Sequence, residues 1–225
     1  MIIDPRDQQL ATQLLEYSVQ AKTGDTLYLE VKGIEALSLG KALIAEATKR
    51  GVSPFWFYND ESLQRQFLLH ATADQIRRQA ELHGELMKQA DVYIGVRGSD
   101  NPFDLADIPK DTKEQFNQLF YHPVHFEERV KRTRWVVLRY PNNGMAALAE
   151  RSREEFADFY YRVCLLNYKK MQEGLGLLQS KMEATNRVRI VAPDTDLRFS
   201  IEGIPALACD GKYNIPDGEV FTAPV

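Results

Sequence analysis

Over its first 140 residues the chain alternates short apolar runs with longer stretches whose apolar residues recur three or four positions apart. Four runs read as strands: Thr26 to Val31 (TLYLEV), Ser53 to Tyr58 (SPFWFY), Asp91 to Val96 (DVYIGV) and Thr133 to Leu138 (TRWVVL). Pro54 belongs at the start of its strand, because proline has no N–H to give to a ladder. Between the runs the helical period predicts a first helix, started by Asp4-Pro5 and faced by Leu10, Leu14 and Leu15. A second helix is expected from about Ile34 to Arg50. Two more precede the third strand, the latter opening at the capping box Thr72-Ala73-Asp74-Gln75, and a helical hairpin is expected around Lys113 to Val130. Strands this apolar, alternating with helices, predict an α/β fold: a mainly parallel sheet with helices on both faces.

A second capping box, Ser152-Arg153-Glu154-Glu155, opens what reads as the longest helical stretch. Phe156, Phe159, Tyr160, Val163, Leu175, Leu178 and Met182 hold the period, with Gly174 and Gly176 as weak points costing ~1 kcal/mol each relative to alanine. From Arg187 the rhythm changes to short alternating runs (VRIV, LRFSI) separated by Asp-, Gly- and Pro-rich turns. The expected division is an α/β domain over residues 1–185, followed by the opening strands of a β-rich second domain over residues 186–225.

Composition narrows the function. The 225 residues are 44% hydrophobic and 27% charged, with a net charge of −4, and there is no basic stripe to attract nucleic acid. The start, MIIDPRDQQL, lacks the basic end and apolar centre of a signal peptide, and no run of ~18 apolar residues is present to cross a bilayer. Cys164 and Cys209 lie in unlike contexts, one in a helical pattern and one near a strand end, which favours two reduced buried thiols over a disulfide. A cytoplasmic protein with neither nucleic-acid nor membrane partner is expected.

Few residues suggest chemistry. His122 and His125 have an HxxH spacing, but Pro123 interrupts it and no third ligand lies near in sequence, so a loop or helix-start role is expected. His83 falls in register with Ile76, Ala80 and Met87, as a packed, hydrogen-bonded histidine would. The loop Arg97-Gly98-Ser99-Asp100-Asn101 follows the third strand, where ligands of open α/β sheets bind. No glycine-rich phosphate loop follows any strand, which removes most support for a nucleotide. Asp194, Asp196 and Asp210 read as turn residues, as does Asp217, which could also support a neighbouring ligand. The closing segment NIPDGEVFTAPV places Glu219 after a Pro-Asp-Gly turn, at the head of the β-prone run Val220-Phe221-Thr222. That arrangement starts a surface strand, or holds a metal ligand rigidly.

This closing segment, with VRIVAPDTDLRFSIEGIPALACDGKY before it, WVVLRYP at Trp135 to Pro141 and SREEFADFYYRVC at Ser152 to Cys164, resembles the aminopeptidase T family of metalloaminopeptidases. The resemblance runs over most of the chain and is densest after Thr133. It implies a metal-dependent enzyme that removes N-terminal residues from peptides, working as a homodimer with two divalent metal ions such as zinc or cobalt. It implies that Glu219 is a metal ligand and that the remaining ligands belong to a C-terminal domain beyond residue 225. The expected chain is therefore the N-terminal portion of such an enzyme, inactive in isolation. The alternative is a non-catalytic α/β binding or dimerisation module.

Overall fold

The computed structural model describes residues 4–225. Residues 1–3, part of the segment without a signal-peptide pattern, lie outside the described residues. Helix α1 (Pro5–Gln13) starts where Asp4 caps it, its carboxylate accepting the Arg6 N–H at 2.8 Å, and continues in wider π turns through Ser18. Strand β1 (Thr26–Lys32) leads through a 3-10 turn into α2 (Leu37–Lys49) and β2 (Ser53–Asn59). Helices α3 (Glu61–His70) and α4 (Ala73–Met87) follow, and Thr72 and Gln75 form the expected reciprocal cap. Strand β3 is Val92–Arg97, and β4 is Arg134–Arg139.

These strands pair in parallel in the order β2-β1-β3-β4. The alternation of side chains across the pleat sorts the core into two layers. Leu27, Leu29, Val31, Val92, Ile94, Val96, Val136 and Leu138 pack on one face beneath Leu10 of α1, Leu14 of the π turns after it, and Leu39 and Leu43 of α2. Tyr28, Tyr93, Phe55, Phe57 and Trp135 pack on the other, against Ile76 and Met87 of α4 and Phe116, Phe120 and Val124. An α/β sheet with helices on both faces is therefore the observed architecture.

Two helical expectations need correction. Residues 110–130 form no hairpin: α5 (Lys110–Phe116) continues without a break through π turns at Asn117–Val130, with Pro123 inside them. Proline donates no N–H, and its ring presses on the carbonyl four residues earlier, so a wider turn accommodates it where a regular α-turn would not. The stretch after Ser152 is two helices, α7 (Arg153–Cys164) and α8 (Tyr168–Glu183), after the short α6 (Asn143–Leu148). The break falls at Leu165–Asn167, where Asn167 recaps the chain by accepting the Lys170 N–H at 2.9 Å. Gly174 and Gly176 sit unbroken inside α8.

After α8, β5 (Arg187–Ala192) and β6 (Thr195–Ser200) form an antiparallel hairpin, and β7 (Leu207–Cys209) pairs with β9 (Glu219–Phe221). Between these last two, β8 (Asn214–Ile215) returns to the main sheet and lies parallel to β4 as its fifth strand. A two-residue strand has no periodicity to betray it, and its pairing was not visible in the sequence.

Candidate functional site

The turn before Glu219 is braced from three directions. Asp217 accepts the Gly211 N–H through Oδ2 at 3.0 Å and the Gly218 N–H through Oδ1 at 3.1 Å, while its own N–H donates to the Tyr168 hydroxyl at 3.2 Å. Gly218 has φ +140, a conformation that L side chains rarely adopt. Glu219 then pairs with Cys209 across the β7–β9 ladder. Its carboxylate is exposed and takes no hydrogen bond among the described residues. Asp217 is thus the turn residue its position suggested.

Carboxylates crowd this end of the chain. The Cys209 thiol is raised by burial and further by Asp217, Glu219 and Asp210. Asp217 is itself raised, chiefly by burial, against the two N–H groups it accepts. Asp210 is paired with Lys212 at 2.7 Å. A negative potential of this kind favours a cation, but a transition metal or calcium ion takes four or more ligands. Among the described residues no three His, Cys, Asp or Glu side chains converge. The residues present therefore do not by themselves fit a divalent ion; Glu219 is one available carboxylate on a rigid strand end.

Other candidates resolve into structural roles. His122 lies 3.7 Å from Glu127 on an exposed helix face, whereas His125 is buried among Tyr121, Phe120 and Tyr93, so the HxxH pair does not share a site. Asp196 pairs with Arg189 at 2.7 Å across the β5–β6 hairpin, and Asp194 takes the positive φ of its turn. His83 is packed as its register predicts, its Nδ1 2.7 Å from the Tyr28 hydroxyl. Both cysteines are free: Cys164 is buried, with its thiol pushed up to about 12, while Cys209 is only half-buried.

The loop after β3 sits at the point where the sheet order reverses. From β1 the chain runs outward to β2 and then crosses to β3 on the other side, so the carboxyl ends of β1 and β3 flank the switch point. Gly33 and Gly98 let these ends meet, since a Cβ on Gly33 would stand 2.6 Å from the Gly98 carbonyl. The loop is tied down by Asn142, which donates to the Ser99 carbonyl at 2.8 Å, and by the Gly144 N–H, which donates to Asp100 at 2.8 Å.

Beneath this edge lies a charged group that pattern reading passed over. Glu30 points into the aromatic layer, accepts the Tyr93 hydroxyl and lies 3.5 Å from Lys32 Nζ. Burial opposes its ionisation, but Lys32, His125, the Tyr93 hydroxyl and Arg97 together hold it at about 2. His125 is pushed down to about 4 by burial, which outweighs the attraction of Glu30. A cavity of about 160 Å³ opens onto Glu30, Lys32, His83 and His125. The available signal was Glu30 and Lys32 at alternate positions of the otherwise apolar run TLYLEVK.

Comparison with known proteins places these features. The model of a family described as thermophilic metalloprotease (M29) matches residues 4–225. No curated protein matches. Among solved structures, wild-type AmpT from Thermus thermophilus superposes with a TM-score of 0.74 at 22% identity, over 97% of this chain and 61% of that one. A 2,5-dihydroxypyridine dioxygenase from Pseudomonas putida superposes with a TM-score of 0.54 at 10% identity, over 97% of this chain and 55% of that one. At such identities the likeness is one of fold, and this chain spans about three fifths of the length of AmpT. The family match, by contrast, runs through every described element, from the Asp4 cap to the Glu219 strand: the chain belongs to the thermophilic metalloprotease (M29) family.

Proposed function

We propose that the chain is the N-terminal portion of a metal-dependent aminopeptidase, in which Glu219 supplies one oxygen ligand to a pair of divalent cations such as zinc or cobalt. The observation that carries the reading is the presentation of Glu219: an exposed carboxylate without a partner among the described residues, at a strand end fixed by the Asp217 turn, in a chain of a metalloprotease family. A ligand held this way loses little freedom on binding a metal, and the surrounding carboxylates favour positive charge. The substrates are peptides with a free N-terminus, the setting is cytoplasmic, and the assembly is a homodimer. Exposed apolar side chains such as Leu177, Val191 and Leu197 support burial of this end of the chain by a further domain or a second copy.

Because no three ligating side chains converge among the described residues, the 225-residue chain alone should bind metal weakly and release no leucine from leucyl-p-nitroanilide. The test uses the complete natural protein loaded with zinc or cobalt. Wild type should hydrolyse the substrate, and Glu219→Ala should lower metal content and abolish turnover while the fold, read by circular dichroism, is kept. Unchanged metal stoichiometry and activity in the variant would remove Glu219 from the metal site.

A further inference from the structure

The parallel register sets a row of polar residues across the carboxyl end of the sheet. Asn59 pairs with Lys32, Lys32 with Arg97, and Arg97 with Arg139, so four adjacent strands end in one line on the face shared with Glu30. Only Lys32 is neutralised, by Glu30. Among the described residues neither the Arg97 nor the Arg139 guanidinium has a hydrogen-bond or ion-pair partner, although an arginine carries five donors and matches the geometry of an oxyanion. All three cations line a cavity of about 500 Å³ at the switch point, together with Lys113 and Ser99. Ser99 lines the cavity and its buried hydroxyl has no partner among the described residues, while Lys113 donates only to the Ala106 carbonyl at 3.0 Å. Glu61 is the one carboxylate on the cavity wall.

Arg97, Arg139 and Lys113, none of them in an ion pair among the described residues, stand against one carboxylate, Glu61, and make a cavity short of negative charge. The Gly33–Gly98 contact fixes the two strand ends that carry Lys32 and Arg97, so the backbone from which these donors project is set before any ligand arrives. We propose that this cavity binds a small molecule through an oxyanion group, a phosphate or a carboxylate, gripped by Arg97 and Arg139 with Ser99 and Lys113 completing the cradle. The site shares no residue with the Glu219 turn and needs no metal, so it stands or falls independently of the peptidase reading.

The experiment is isothermal titration of the complete natural protein, dialysed free of divalent metal, with inorganic phosphate and separately with succinate at constant ionic strength. Saturable one-to-one binding of at least one anion is expected, weakened at least tenfold in both Arg97→Gln and Arg139→Gln. Binding of phosphate alone assigns a phosphoryl ligand, and binding of succinate alone a carboxylate. Absence of saturable heat with both anions, or wild-type affinity in either variant, overturns the proposal. Should the variants fold poorly, the wild-type protein still answers: the bound anion should protect Arg97 and Arg139 from phenylglyoxal, mapped by peptide mass. Equal modification with and without anion overturns the proposal as well.

Discussion

Replacing Gly33 with alanine should destabilise the protein through two costs at once, a backbone conformation that alanine resists and a clash with the backbone of Gly98 and Ser99. Gly33 has φ 77 and ψ 149, a region open almost only to glycine, and forcing an alanine into it costs about 2 kcal/mol. The new methyl would also stand 2.6 Å from the carbonyl carbon and oxygen of Gly98 and from the Ser99 nitrogen. Those are backbone atoms, held by the bond from the Gly98 N–H to the Lys32 carbonyl at 2.7 Å, so they cannot rotate away as a side chain would. Overpacking of this kind costs a further ~2 kcal/mol. The sum of about 4 kcal/mol lowers the melting midpoint by roughly 8–16 °C in a chain of this size. Thermal unfolding followed by circular dichroism reads it, with two controls that separate the causes. Gly24 has φ +92 but nothing within 4 Å of its added Cβ, so Gly24→Ala should show the conformational cost alone, about 2 kcal/mol. Gly84 lies inside α4 with the same open space and no positive φ, and Gly84→Ala should stabilise by about 0.5–1 kcal/mol. If Gly33→Ala melts at the same temperature as Gly24→Ala, the two strand ends are not in the contact described.

Stability should also depend on pH through His125. The unfolded histidine takes up a proton near its ordinary value of 6.5, the folded one only near 4, so the unfolded state gains protons first as pH falls. Stability is therefore fully present above pH 6.5 and declines toward pH 4, by up to about 3 kcal/mol from this group. His125→Phe should flatten that part of the profile in acid melts, and an unchanged slope would contradict the assignment. A third perturbation concerns the buried Asp7 carboxyl, which accepts the hydroxyls of Tyr161 at 2.7 Å and Tyr140 at 3.1 Å. Tyr161→Phe leaves it one donor short and should cost about 2 kcal/mol. Combined with Tyr140→Phe the loss should be non-additive in denaturant melts, because the two hydroxyls lie 3.1 Å apart and share one acceptor.

The parallel sheet was legible because each of its four long strands carries an apolar run, and three helix starts were marked by side chains that cap them, at Asp4, Thr72 and Ser152. The break between α7 and α8 was not, since Leu165 and Leu166 continue the apolar count and Asn167 caps in three dimensions something that composition reads as helix. Glycines misled in the same place: Gly174 and Gly176 weaken a helix only by their own propensity, and the surrounding turns of α8 carry them. For the candidate site, the Pro-Asp-Gly turn announced both Asp217 and Glu219. The row Lys32–Arg97–Arg139 was invisible, because three basic residues more than forty positions apart become neighbours only through strand register.

The most direct test is the structure of the complete natural protein crystallised with zinc, with anomalous scattering used to locate the metal. The account predicts a Glu219 carboxylate oxygen about 2.0–2.2 Å from a zinc ion. Zinc bound elsewhere in the protein, with the Glu219 carboxylate left in solvent, would contradict it.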